Sequence, residues 1–149
     1  MNYLSPIPPT LEEIAEWAEL LPPGARILGA NLFADTFIAD EHGAVLMLEP
    51  AAMNITRIAA SEGEFWKALV TDPEGWLLRP LVDRCRTAGL HPSPEQCLAF
   101  TTMPVFGGRY EVENIWLCTR REWLSATADM WRQIRDLPDG TQVQIRVVD

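Results

Sequence analysis

The 149-residue sequence contains no run of about 18 uninterrupted apolar residues, which excludes an ordinary membrane-spanning helix. Its first residues, Met1 to Thr10, hold three prolines and no basic stretch ahead of an apolar run, so no secretory signal is read there. Cations are scarce: 12 Lys and Arg stand against 21 Asp and Glu, a formal charge of −9. Affinity for nucleic acid comes mostly from cations that neutralise phosphates, so DNA, RNA and anionic lipid are excluded as direct partners. The partner such a field attracts is a basic protein, including one that itself handles nucleic acid.

Histidine occurs only at 42 and 91, and cysteine only at 85, 97 and 118. The cysteines are odd in number and widely spaced, which suits reduced, buried thiols in a cytoplasmic protein. Structural zinc sites bring at least one close ligand pair, and none is present. The patterns Gly-x-Ser-x-Gly, His-Glu-x-x-His and the Walker loop are all missing. The only bases for nucleophilic catalysis of the Ser-His or Cys-His kind would be these two histidines, His42 in a predicted turn and His91 in a Pro-rich loop. The expectation is therefore no catalytic residue, no metal and no cofactor.

What the chain does have is enough apolar residue, 48% against 22% charged, to bury a core as one domain over residues 1–149. Three capping boxes mark helix starts, at Thr10 with Glu13, Ser61 with Glu64, and Thr119 with Glu122. After the first, Leu11, Ile14, Ala15, Ala18 and Leu21 share a helical face, with Glu12, Glu16 and Glu19 on another, up to Pro22-Pro23-Gly24. A second helix follows Ser61 with Phe65, Leu69 and Val70 inward, and a third runs from Pro73 to about Arg86. The fourth and longest follows Thr119, with Leu124, Ala128, Trp131 and Ile134 inward, and ends at Leu137-Pro138-Asp139-Gly140.

Strands are read at Arg26 to Gly29, Thr36 to Ala39, Ala44 to Leu48 and Ile55 to Ile58, a meander whose second turn is Asp40-Glu41-His42-Gly43. Further strands are read at Cys97 to Thr101, Tyr110 to Cys118 and Thr141 to Val147. This order of elements predicts an α+β domain with a mostly antiparallel sheet packed with about four helices. Between two of these strands, Gly107-Gly108 precedes an alternating, carboxylate-bearing run and not a helix start, so it reads as a turn and not as a phosphate loop. Six tryptophans read mainly as core, with Trp17 and Trp123 beside their buried stripes and nearest the edge.

Four stretches carry a family resemblance: "NLFADTFIADEHGAVLMLEP", "FWKALVTDPEGWL", "MPVFGGRYEVENIWLC" and "MWRQIRDLPDGTQVQI". Their most specific residues are Pro104 to Gly108 with Tyr110, Val112, Glu113 and Asn114, and Ile134 with Asp136 to Gly140. In that order, from about Gly29 to the C-terminus, the chain resembles the C-terminal domain family of type VI secretion DNase-immunity proteins. The preceding residues, 1–28, then form a helical extension. The wider SUKH-type immunity superfamily is similar in its mixed layout. The resemblance implies an antidote that binds a cognate toxin, a nuclease, and blocks it by stoichiometric occlusion. It brings no catalytic residues, and its two turns carry over as determinants of fold.

Acidic residues would then stand where substrate phosphates go on the toxin. The candidate partner-binding groups are Glu12, Glu16 and Glu19 on the first helix, Asp35, Asp40 and Glu41 near the first hairpins, and Glu111 with Glu113. An intracellular adaptor on the same scaffold is the alternative reading, and a small hydrolase or metabolite-binding domain the third.

Overall fold

The computed structural model describes residues 2–138. Four strands form an antiparallel meander in the order β1 (Arg26–Ala30), β2 (Thr36–Ala39), β3 (Val45–Glu49) and β4 (Asn54–Ala59). The β2–β3 turn is closed by Asp40, whose Oδ1 accepts from the N–H of His42 at 2.8 Å and of Ala44 at 3.0 Å. Gly43 supplies the positive φ of 86° that this turn requires.

Strand β2 is buried on both faces. Alternation sends Phe37 to one side, with Val45, Met47 and the residues Phe65 and Leu69 of α1 (Glu62–Thr71). Ile38 points to the other side and joins the larger core. That core also receives α2 (Arg79–Thr87), the hairpin of β5 (Gln96–Phe100) and β6 (Ile115–Thr119), and α3 (Arg120–Ile134). The architecture is α+β, with two antiparallel sheets, of four and two strands, among the described residues. Ser61 and Thr119 each accept from the N–H three residues on, so two of the capping boxes start α1 and α3 as expected. The three cysteines are free and buried, with Cys97 directly opposite Cys118 in the β5–β6 pair.

The N-terminal helix departs from its sequence reading. Thr10 does accept from the N–H of Glu13, at 3.2 Å, yet the segment forms turns and then a 3-10 helix over Ala15–Leu20. With three residues per turn, Ile14 and Trp17 lie one above the other and are buried, while Leu11 and Ala18 face outward. Trp17 is therefore central, its Nε1 donating to the carbonyl of Leu124 at 3.1 Å. Trp123 is likewise buried, and the exposed tryptophans are Trp66 and Trp116, at 41% and 47%.

Two other elements start late. The helix expected from Pro73 begins at Arg79, because the Asp72 carboxylate accepts from the N–H of Trp76 and of Leu77, at 2.8 and 2.9 Å, and folds residues 72–78 into a turn. The strand expected from Tyr110 begins at Ile115. Before it, residues 101–114 form a loop drawn together by Asn114. That side chain accepts from the N–H of Thr102 at 2.8 Å and donates to the carbonyls of Thr102 and Arg109, at 2.8 and 2.9 Å.

The glycine pair serves this loop. Gly107 adopts φ 88°, and Gly108 packs so tightly that a Cβ there would fall 1.7 Å from the carbonyl oxygen of Thr102. The Asp139-Gly140 part of the last turn and the strand read at Thr141 to Val147 lie outside the described residues.

Candidate functional site

The acidic stripe of the N-terminal segment faces α3 and is met there by arginines. Glu12 pairs with Arg121 at 3.6 Å, Glu13 with Arg120 at 3.0 Å, Glu16 with Arg132 at 3.1 Å, and Glu19 with Arg135. Ser125 donates to Glu16 at 2.7 Å, and this bond, followed by the one from Arg132, holds the Glu16 carboxyl below its usual range. Three of the candidate groups are thus joined in an ion-pair ladder within the chain. At its head the Glu13–Arg120 pair is nearly buried, and Arg120 also donates to Ser5 Oγ at 2.9 Å and to the carbonyl of Ile7.

The remaining candidates lie apart. Asp40 serves the β2–β3 turn, Glu41 is exposed 3.4 Å from His42, and Glu111 is exposed 3.7 Å from Arg109. Glu113 is exposed on a 3-10 turn over Val112–Asn114. Asp35 is the exception, only 6% exposed at the start of β2. Its position is fixed by Asn31, whose Oδ1 accepts from the N–H of Phe33 and of Asp35, at 2.9 and 3.1 Å. Asn31 Nδ2 in turn donates to Asp35 Oδ2 and to the carbonyl of Trp76, both at 2.8 Å. One amide thus ties the β1–β2 turn to the turn ahead of α2.

This tie assembles a cleft. Thr36 pairs with Leu48 in the register of β2 and β3, so Asp35 and Glu49, one step beyond on each strand, come side by side. The 72–78 turn adds Glu74 and Trp76, and the β5–β6 hairpin adds Phe100 and Tyr110. Phe100 stacks on Phe33 with ring centroids 5.4 Å apart, and Tyr110 meets Phe100 edge-on at 5.3 Å, which fixes the aromatic wall. The cavity so enclosed measures about 170 Å³.

Burial governs its acid–base behaviour. Asp35 is pushed up to about 8 by desolvation, helped by the charge of Glu49 and opposed by the bond from Asn31. Burial also raises Glu49, and it raises Tyr110, with the charges of Asp35 and Glu49 adding to that effect. Glu49 and Glu74 escaped the sequence reading, since neither sits in a motif or a charge run. The one available signal was local: an Asn four residues before an Asp in a short turn between strands.

Residues 64–130 match a family model described as T6SS immunity protein Tdi1, C-terminal. That segment, somewhat under half of the chain, is similar to the C-terminal part of a type VI secretion immunity protein. The matched segment runs from the first turn of α1 into α3 and supplies Glu74, Trp76, Phe100 and Tyr110, whereas Asp35 and Glu49 come from the meander before it. No curated protein matches the chain. Among the described residues, no helix is long and apolar enough to cross a membrane, and no group of three His, Cys, Asp or Glu residues could hold a metal ion.

Proposed function

We propose that this chain protects its cell by binding a cognate type VI secretion toxin, a nuclease, in a stoichiometric complex that covers the toxin's active site. The match of residues 64–130 to the Tdi1 C-terminal family carries the reading. The net charge of −9 supports the choice of a nuclease, because an enzyme that grips phosphates presents cations around its active site. Inhibition by occlusion asks no chemistry of the inhibitor, only a surface that competes with substrate. On this reading the protein acts in the cytoplasm, where such a toxin would meet chromosomal DNA.

Co-expression with the product of the adjacent gene tests this directly. The expected outcome is loss of host viability with the neighbour alone, rescue with both, and co-elution of the two on a sizing column. A toxic neighbour that this chain neither rescues nor binds would refute the reading and favour an adaptor role on the same scaffold.

A further inference from the structure

We infer that the cleft between the β2–β3 edge, the 72–78 turn and the β5–β6 loop receives a single cationic side chain, an arginine or lysine, projecting from the partner protein. The inference rests on the immunity reading for the identity of that partner, but the cleft's preference for a cation stands on its own geometry. Asp35 lies more than nine-tenths buried and lines the cavity. Its Oδ2 accepts from Asn31. A carboxylate so far withdrawn from water is costly unless a cation or a proton completes it.

The groups facing Asp35 are Glu49 from β3, Tyr110 from the β5–β6 loop and Cys97 from β5, and Glu74 also lines the cavity. None of them is a cation. Size narrows the occupant: about 170 Å³ is below the roughly 300 to 1,000 Å³ of sites for whole small molecules and well above the roughly 30 Å³ share of one water. Among the described residues, no group of three His, Cys, Asp or Glu could hold a metal ion. An elongated side chain with a charged tip suits the remaining space. Its stem would lie along Trp76 and Tyr110 and its tip would reach Asp35 and Glu49, the arrangement aromatic walls favour for cations.

Two measurements decide it. In the first, n-propylguanidinium is titrated into the isolated chain while the indole N–H of Trp76 is followed by NMR, with n-propylurea as the uncharged control. A saturable shift with the cation alone is expected, weakened at least tenfold in Glu49→Gln and in Asp35→Asn, and tighter as pH rises toward 8 because the cation displaces the Asp35 proton. In the second, Glu49→Gln and Asp35→Asn are compared with Glu95→Gln, an exposed carboxylate away from the cleft, for affinity to the neighbouring gene's product. Both cleft variants should bind at least tenfold more weakly, with Glu95→Gln unchanged and all three chains melting as folded proteins.

Equal response to cation and urea, or none to either, would overturn the cation preference. Full toxin binding by both cleft variants would overturn the docking role while leaving immunity intact. Should the wild-type chain fail to bind its neighbour at all, the immunity reading falls, and with it the identity given to the partner, while the propylguanidinium titration still decides the cleft.

Discussion

Asp35 shows how one residue's surroundings can reverse its usual behaviour. In the unfolded chain an aspartate ionises near pH 4, whereas in the fold Asp35 keeps its proton up to about pH 8. Between those values the folded state binds the extra proton. Its contribution to stability is therefore fully present below about pH 4, declines as pH rises, and is gone once pH passes about 8. Glu49, raised by the same burial, adds a term of the same sign. Urea denaturation between about pH 5 and pH 8 should show wild-type stability falling by up to about 1.4 kcal/mol per pH unit, with a visibly flatter profile for Asp35→Asn. A wild-type profile as flat as the variant's would contradict the burial of this carboxyl. From the sequence Asp35 could be placed only near the first hairpins; the role of Asn31 with Asp35 in joining two distant turns was not visible there, because the carbonyl of Trp76 that completes it lies 45 positions away.

Among elements, the junction between the N-terminal segment and α3 has the strongest energetic asymmetry. Arg120 and Glu13 have side chains only 6% and 13% exposed, so removing the arginine leaves a desolvated carboxylate without its cation. Arg120→Met should cost about 3 to 5 kcal/mol in urea denaturation, as breaking a buried pair by removing one partner does. Arg121→Ala, which removes the exposed 3.6 Å contact to Glu12, should cost less than about 1 kcal/mol. Equal losses would show that the ladder's head is as solvated as its foot. The capping box and the glutamate stripe were legible in the sequence. The sequence did not show that the stripe would meet arginines of α3, because sequence periodicity describes a helix's own faces and not which residues fold onto them.

For the whole molecule, the ladder changes how the net charge is distributed. Glu12, Glu13, Glu16 and Glu19 are matched by Arg120, Arg121, Arg132 and Arg135, so the acidic excess is expressed by carboxylates elsewhere. If that field steers a basic toxin, the association rate should fall about tenfold or more between low and high salt, with the dissociation rate little changed. Glu74→Lys, at the cleft, should slow association more than Glu12→Lys, which lies beside Arg121. Stopped-flow mixing over a salt series measures both. Rates indifferent to salt would leave binding to shape and apolar contact alone, for which the exposed Trp66 and Trp116 would be the first residues to test.

Local chemistry was enough to determine the meander, the starts of α1 and α3, the burial of the three thiols and the reading of Gly107-Gly108 as a turn. Strand alternation, a Ser or Thr cap and a glycine at positive φ act within a few residues of themselves, so their outcomes are written in the adjacent sequence. Only the tertiary structure decided that the first helix winds as 3-10 around Ile14 and Trp17, that its acidic face is neutralised by partners more than 100 positions away, and that Asp35, Glu49, Glu74, Trp76 and Tyr110 share one cleft. Each of these outcomes is set by desolvation and pairing between remote segments. Those energies do not exist until β2 and β3, the 72–78 turn and the β5–β6 loop have been brought together.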